Sequence, residues 1–442
     1  MFQNFKFIPF EKIFSTPLRN GLTRPKSVRG AGVKMINMGE LFAHSRIKNI
    51  IMDRVPLSEK EFSNYLLKKG DLLFARQSLV LSGAGKCSIF FGDSEPVTYE
   101  GHIIRARLNL NNVDPLFYYY YFNSQTGRKS IEGIVEQVAA AGIRGSDLAK
   151  LDVPYPPLPT QHAIARILGL LDDKIELNHQ MNETLEAMAR AIFQSWFLDF
   201  DPVRAKAEGR DTGLPPEVAA LFPDGFEVVD GREVPRGWGV ATLGDYIEPV
   251  KGLSYKGEGL CNDGIPLHNL NSVLEGGGYK YPGIKFYNGE YQERHIILPG
   301  DVIVTNTEQG FDFLLIGYPA IVPKYFGEMG LFTHHLFKVR PKKQSPLTNH
   351  FIYHLLMAPL IREQVIGCTN GTTVNMMYVD GLITPQFILP SDELIQQFEK
   401  IVSPMFEMME NNEQQSLTLA QIRDALLPKL MSGEIEVAKE ES

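Results

Sequence analysis

The sequence repeats itself once, with a period of roughly 230 residues, and this repeat constrains the fold more than any other feature. The matches keep one order in both halves: residues 33–38 (VKMINM) with residues 265–270 (IPLHNL), residues 70–74 (GDLLF) with residues 300–304 (GDVIV), and Pro154, Leu158 and Pro159 with Pro385, Leu389 and Pro390. A period of this length is far too long for a solenoid. The 442 residues therefore predict two copies of one domain-plus-helix unit, and any binding surface should occur twice.

Each copy begins with a pattern typical of a mixed α/β domain. Short apolar runs at residues 71–74, 88–91 and 301–304 are bounded by Gly, Asp or Ser and predict strands. Residues 115–124 and 351–357 predict helices. The first of these helices holds four consecutive tyrosines, which could stack on bases. We interpret them as core residues, because aromatic faces of helices usually pack inward.

Each copy ends in a long helical pattern. The first follows a Pro-rich stop and runs over residues 160–197, with Thr160 as the predicted N-cap. Apolar residues recur at helical spacing and include Leu171, Ile175 and Leu185 in the first helix and Met405, Met409 and Leu419 in the second. Asn178 and Asn412 interrupt the two stripes at matching positions of the repeat. This pattern predicts two helices that pack on each other, with buried polar pairs that fix their register. The alternative is that each helix packs only on its own domain.

Charge is distributed unevenly along the chain, whose formal total is −8. Residues 1–150 carry 21 Lys and Arg against 13 Asp and Glu, and residues 236–390 carry 12 against 13. The helical blocks are acidic, with 7 against 15 in residues 151–235 and 4 against 11 in residues 391–442. The acidic total therefore reflects the helices and does not exclude a nucleic-acid partner for the domains.

One basic run stands out within the first domain. Residues 19–34 contain no acid and hold Arg19, Arg24, Lys26, Arg29 and Lys34. The run is either a solvated loop or a phosphate-contacting loop, because Gly and Pro expose its backbone while its cations can replace counterions.

Signatures of catalysis are missing from the sequence. The segment from Ser82 to Ser88 lacks the first Gly and the final Ser or Thr of a phosphate loop, and it is better interpreted as a glycine turn between strands. The adjacent Asp172 and Asp173 are interpreted as a solvated helix face. Three scattered cysteines predict neither a disulfide framework nor a metal site. No leader and no run of 18 apolar residues is present, so we expect a cytoplasmic protein without membrane contact.

Two segments carry a resemblance to a known family. Residues 157–204 (PLPTQHAIARILGLLDDKIELNHQMNETLEAMARAIFQSWFLDFDPVR) resemble the central conserved region of the specificity subunits of type I restriction-modification enzymes, and residues 421–433 (QIRDALLPKLMSG) resemble their C-terminal conserved region. The resemblance implies a non-catalytic subunit in which two target-recognition domains each read one half of a split double-stranded DNA site. It further implies that two methyltransferase subunits and the restriction subunits bind this chain, and that S-adenosylmethionine, ATP and Mg are held by those partners and not by this chain. Two alternatives stay open: a coiled-coil scaffold for proteins without DNA recognition, and a catalytic DNA methyltransferase.

The expected fold is α+β, with two mixed α/β target-recognition domains in tandem, separated by two long helices that form an antiparallel coiled coil. The predicted boundaries are residues 1–157 for the first domain, 158–198 for the central helix, 199–235 for an acidic Pro/Gly connector, 236–390 for the second domain, 391–433 for the C-terminal helix and 434–442 for an acidic tail. A helix over residues 160–197 would be about 57 Å long, enough to set two reading domains more than one turn of DNA apart.

Candidate DNA contacts follow the first buried strand of each domain. In the first domain, polar residues after that strand join the basic run, and the candidates are Arg19, Arg24, Lys26, Arg29, Lys34, Arg76, Gln77, Ser78 and Lys86. In the second domain the candidates are Lys251, Lys256, Asn306, Thr307, Gln309, Thr372, Thr373 and Asn375. Arg pairs with guanine and Gln with adenine through two parallel hydrogen bonds, which favours Arg76 and Gln77 as base-reading residues. Each candidate could instead be an ordinary surface turn residue.

Overall fold

The chain folds into two compact units in a computed structural model that describes residues 5–137, 141–310, 312–371 and 374–437. Unit 1 contains the residues up to Leu177 and those from Ser416 onward, and unit 2 contains residues 178–415. Each long helix therefore contributes one part to each unit. The predicted domain boundaries stay a prediction.

Unit 1 is built on a five-stranded sheet with two smaller three-stranded sheets. In sheet order the five strands are Phe14–Asn20, Ile103–Leu108, Leu72–Ala75, Cys87–Gly92 and Arg46–Lys48. The first small sheet contains Asp53–Val55, Val33–Ile36 and Val97–Tyr99, and the second contains Glu136–Gln137, Ala141–Gly142 and Gln77–Ser78. Phe7–Pro9 pairs with Asp152–Pro154. The helices are Met38–Ala43, Glu59–Tyr65, Pro115–Asn123, Gln125–Glu132 and Gly145–Lys150.

Unit 2 divides its strands among a four-stranded sheet, a five-stranded sheet and smaller sheets. The four-stranded order is Ile247–Lys251, Leu336–Pro341, Val302–Thr305 and Pro319–Ile321, and the five-stranded order is Leu260–Cys261, Lys285–Tyr287, Ile265–His268, Gly330–Phe332 and Ile296–Ile297. The smaller sheets are Thr307–Gln309 with Val374–Met377 and Thr369–Asn370, Gly239–Thr242 with Gln386–Leu389, and Phe226–Val229 with Arg232–Pro235. The short helices are Asp201–Ala207, Pro216–Ala219, Asn349–Met357, Pro359–Gly367 and Asp380–Ile383.

The two long helices are Leu158–Phe193 and Asp392–Ser432, and five π-helical residues, Gln194–Leu198, follow the first. The expected α+β fold with two mixed domains and two long helices is confirmed. The predicted N-cap Thr160 is wrong by three residues, because the helix begins at Leu158 and the Gln161 backbone N–H already bonds to the carbonyl of Pro157.

The repeat extends to individual hydrogen bonds. Asp71 and Arg107 form a buried ion pair at 2.6 Å in unit 1, and Asp301 and Arg340 form its counterpart in unit 2. Asn37 and Asn269 each begin a helical turn that starts after the matched strand of the repeat. Because the same polar contacts recur on the same elements, the two units are two copies of one domain.

The tyrosine-rich helix Pro115–Asn123 packs its aromatic rings into the core of unit 1. Asp114 caps this helix by accepting the Leu116 N–H at 2.8 Å. All four rings, Tyr118 to Tyr121, are buried, so their interpretation as core residues is confirmed. A role in stacking on bases is thereby excluded, since buried rings cannot reach a ligand.

Candidate nucleic-acid interface

The polar triplet of unit 1 lies where the central strand Leu72–Ala75 leaves the large sheet. Gln77 and Ser78 form an outer strand of the small sheet, with the backbone of Gln77 paired to Gly142. The Gln77 side chain is exposed, whereas Arg76 and Ser78 are half-buried. The Ser78 hydroxyl accepts the N–H of Val80 and so helps to hold the next turn, whose Leu79 side chain is almost fully exposed. Gln77 therefore projects beside an exposed loop, as a base-reading residue requires.

Two arginines of the basic run hold a neighbouring helix. Arg24 forms an ion pair of 2.6 Å with Glu61, in the first turn of the helix Glu59–Tyr65. Arg19 donates to the backbone carbonyl of Asn64 at 2.9 Å and its guanidinium lies over the Tyr65 ring. Both cations are engaged within unit 1, although neither is fully buried.

Arg29 and Lys34 are paired as well. Arg29 forms an ion pair of 2.9 Å with Asp53, and Lys34 forms one of 2.8 Å with Asp93. The hydrogen bond to Asp93 raises the pKa of Lys34. Lys26 is exposed and makes no ion pair within the described residues, so it is the member of the run that is most available to a phosphate.

Lys86 belongs to the glycine turn that the sequence predicts. Gly85 adopts a φ of 68°, in the left-handed region that favours glycine, and its N–H bonds to the carbonyl of Ala75. The Lys86 ammonium donates to the carbonyl of Phe42 at 2.7 Å, and burial lowers its pKa. As a DNA contact Lys86 is therefore a weaker candidate than its position in the sequence indicates.

Three of the predicted contact residues of the second domain are buried. Asn306 is 1% exposed and bonds to the carbonyl of His334 at 3.0 Å, and the Thr307 hydroxyl bonds to His335. Asn375 is also buried and donates to the carbonyl of Gly310. Each of these side chains thus engages its own unit, although the Oδ1 of Asn306 is buried without a hydrogen-bond partner among the described residues.

Other candidates of the second domain remain at the surface. Gln309, Lys251 and Lys256 are exposed, whereas Thr372 and Thr373 lie outside the described residues. The sequence interpretation missed His335 and Lys285, and the charges of Lys251 and Lys285 both act on His335. It also missed His102, whose backbone carbonyl accepts the Arg76 N–H at 2.8 Å. In unit 2, the backbone carbonyl of His335 accepts the Asn306 N–H at 3.0 Å in the same way. These two histidines occupy matched positions of the repeat.

The long helices contact each other through the asparagines that interrupt their apolar stripes. In unit 2, the Asn178 amide donates to the carbonyl of Asn412 at 3.1 Å and to the side chain of Gln415 at 3.0 Å. The Asn182 amide donates to the carbonyl of Met409 at 3.0 Å. Since a higher number in one helix meets a lower number in the other, the pairing is antiparallel. The predicted apolar stripe residues Leu171, Ile175, Leu185, Met405, Met409 and Leu419 all lie on these helices.

Asp172 contradicts the expectation of a solvated acidic face. It is 9% exposed, accepts the Tyr120 hydroxyl at 2.7 Å and pairs with Arg423 of the second long helix at 2.8 Å. Asp173, the next residue, is exposed and pairs with Arg46. Asp172 therefore joins the core helix and both long helices of unit 1.

None of the described helices has the length and apolar character that a membrane crossing requires.

The sequence is similar to a known family model and to named relatives. A family model described as a type I restriction modification DNA specificity domain matches residues 30–187. The MjaIX type I restriction enzyme specificity subunit of Methanocaldococcus jannaschii is 27% identical over 332 residues, which cover 73% of this chain and 69% of that protein. The HindI type I restriction enzyme specificity subunit of Haemophilus influenzae is 27% identical over 457 residues, which cover 91% of this chain and 94% of that protein.

The fold has a counterpart among solved structures. A crystal structure of the S subunit of a type I restriction-modification system from M. genitalium superposes with a TM-score of 0.54, at 16% identity, over 97% of this chain and 96% of that chain. The two proteins thus share a fold with two α/β domains and two long helices. The chain is therefore similar to type I restriction enzyme specificity subunits over most of its length.

Proposed function

We propose that this chain is the sequence-recognition subunit of a type I restriction-modification system and that it reads a double-stranded DNA target in two parts. The observation that carries the proposal is the duplicated domain: each copy ends its central strand beside an exposed polar side chain, Gln77 in unit 1 and Gln309 in unit 2. A protein with two copies of one reading domain is suited to a target with two half-sites.

Partner subunits are part of the proposal. Two methyltransferase subunits and the restriction subunits bind this chain, and S-adenosylmethionine, ATP and Mg act in those partners. The acidic helical blocks are the proposed docking surface for the methyltransferase subunits, because their exposed carboxylates disfavour DNA. The assembly acts on DNA in the cytoplasm.

The competing functions have less support. A catalytic methyltransferase does not fit relatives named as specificity subunits, and a scaffold without DNA recognition does not fit a matched family model that is described as a DNA specificity domain.

Long-read methylation sequencing tests the proposal. A host that lacks other methyltransferases would express this chain with its cognate methyltransferase subunit. The expected result is methylation at one motif with two defined parts and an undefined spacer. A host that expresses the methyltransferase subunit alone is the control. Methylation that is identical with and without this chain, or that has a single undivided motif, would contradict the proposal.

A further inference from the structure

Unit 2 concentrates positive charge at one place, although its domain is nearly neutral overall. Lys251 is the last residue of the strand Ile247–Lys251, and its register partner Phe337 lies two residues after His335. Lys285 begins the strand Lys285–Tyr287, and its ammonium lies 3.0 Å from the hydroxyl of Tyr255. We call Lys251, Lys285 and His335 the basic cluster of unit 2.

The cations of the basic cluster are available to a ligand. Both lysines are exposed, and neither forms an ion pair within the described residues. This differs from unit 1, where Arg24, Arg29 and Lys34 are each paired with a carboxylate. An exposed ammonium without a carboxylate partner can bind an anion.

Thr307 and His334 hold the His335 side chain in place. Its Nδ1 lies 2.9 Å from the Thr307 hydroxyl, and its ring lies 4.0 Å from the ring of His334 between centroids. Burial lowers the pKa of His335, and His334, Lys251 and Lys285 lower it further. The positive charges of Lys251 and Lys285 therefore act on His335 in the same direction as burial. The imidazole is therefore neutral at pH 7 and can contribute a hydrogen bond but no charge.

The position of the cluster in the repeat indicates what it binds. His335 corresponds to His102 of unit 1, where the same backbone contact joins the histidine to Arg76 at the start of the polar triplet. The cluster thus adjoins the small sheet whose outer strand carries Gln309. A backbone phosphate is expected close to any residue that reads base edges, because phosphate contacts fix the register of a protein on DNA.

We infer that Lys251, Lys285 and His335 form an anion site of unit 2 that binds a phosphodiester group of the DNA backbone. The inference rests on the proposed function and deepens it, because it names residues through which the nearly neutral second domain would contact the DNA backbone electrostatically. The two lysines supply the charge, and His335, fixed by Thr307, supplies a directed hydrogen bond.

The salt dependence of DNA binding tests this site in the full chain assembled with its methyltransferase subunit. The double variant Lys251→Ala/Lys285→Ala is titrated with a duplex that carries the methylated motif and with an unrelated duplex of equal length, at several KCl concentrations, by fluorescence anisotropy. Each lost phosphate contact lowers the slope of log K against log salt by about 0.9. The expected slope is therefore smaller by about 1–2 on both duplexes.

Two further variants separate the roles within the cluster. His335→Ala should weaken binding at every salt concentration and leave the slope unchanged, because a neutral imidazole displaces no counterion. Lys343→Ala is the matched control, since Lys343 is an exposed lysine just beyond the opposite end of the strand Leu336–Pro341. It should bind like the wild type. Thermal melting of each variant confirms that the fold is intact.

Several outcomes would overturn the inference. A wild-type slope in the double variant would mean that the cluster contacts no phosphate. A loss confined to the cognate duplex would indicate base reading instead, and normal DNA binding with weakened methyltransferase assembly would indicate a protein partner. In each of these cases the wild-type assembly still recognises its motif, so the proposed function stands. If the wild type shows no preference for any motif, the proposed function itself fails.

Discussion

The side-chain amide of Asn178 in the first long helix donates a hydrogen bond of 3.1 Å to the backbone carbonyl of Asn412 in the second. Asn178 is fully buried, and the same amide also reaches the side chain of Gln415. A buried amide within an apolar stripe favours one register of the two helices, because a shift along the helix axis would leave the amide and its acceptors without hydrogen-bond partners. The pair therefore sets the register of the helix pair in unit 2.

Removing this amide should destabilise the protein. We expect Asn178→Ala to lower the free energy of unfolding by about 1–3 kcal/mol, because the acceptors on Asn412 and Gln415 lose their donor. Urea denaturation followed by circular dichroism measures the change. Glu183→Ala, at an exposed position of the same helix, should stay within about 0.5 kcal/mol of the wild type. Equal effects of the two substitutions would contradict a special role for Asn178.

Asp172 should matter far more than the residue beside it. Asp172→Asn removes the charge that faces Arg423 in a largely buried site, and we expect a loss of about 2–4 kcal/mol. Asp173→Asn breaks an ion pair at an exposed carboxylate and should cost less than about 1 kcal/mol. A double-mutant cycle with Arg423→Gln should give a coupling energy of about 1–3 kcal/mol. A coupling near zero would show that the two groups act independently.

The features that the sequence predicts correctly have local signals. Strands such as Leu72–Ala75 and Val302–Thr305 are short apolar runs between turn residues, and the long helices show an apolar period over many turns. The repeat presents each pattern twice, so the sequence alone matches Asn178 with Asn412, and the structure shows that the two residues are in contact.

The features that the sequence does not predict depend on partners far along the chain. Asp172 looks solvated because its partner Arg423 is 251 residues away. The basic run looks unpaired because Asp53, Glu61 and Asp93 meet it only after folding. His335 could have been found from the repeat, since His102 occupies the matched position, but adjacent histidines carry no motif of their own.

Glu61 should make stability depend on pH in the acidic range. The Ser58 backbone N–H and then the Arg24 guanidinium lower the pKa of Glu61 from 4.5 to about 2. A carboxyl group with a lowered pKa stabilises the fold above its unfolded pKa, and this contribution disappears as the pH falls toward the folded pKa. We expect Glu61→Gln to melt at a lower temperature than the wild type near pH 6, with the difference shrinking between pH 4.5 and pH 2.

A neighbouring glutamate provides the control for Glu61. Glu59→Gln changes an exposed residue of the same helical turn, and it should give a smaller difference in melting temperature across this range. If the Glu61→Gln difference were constant from pH 6 to pH 2, its ionisation would not be the cause.

Arg76 and Lys26 should separate base reading from phosphate binding. Arg76 follows the central strand of unit 1 and makes no side-chain hydrogen bond or ion pair within the described residues. Arg76→Ala should relax sequence preference at one position and weaken cognate binding by about 1–3 kcal/mol. Lys26→Ala should weaken cognate and random duplexes alike and lower the salt slope by about 1. Competition binding at two KCl concentrations distinguishes them, and equal losses on both duplexes for both variants would refute the assignment.

The length of the helix pair should set the spacer of the DNA target. The Asn178 side chain contacts the Gln415 side chain across the helix pair. Inserting seven residues before Asn178 and seven after Gln415 would therefore lengthen both helices by one heptad. The apolar stripes of the two helices would stay in phase. The added length is about 10 Å, or roughly three base pairs of DNA. Methylation sequencing should show the same two half-sites with a longer spacer. An insertion of the same size at the hairpin turn between Asp230 and Gly231 should leave the spacer unchanged, since it lengthens only a loop. An active helix-insertion variant with the original spacer would show that other contacts fix the spacing.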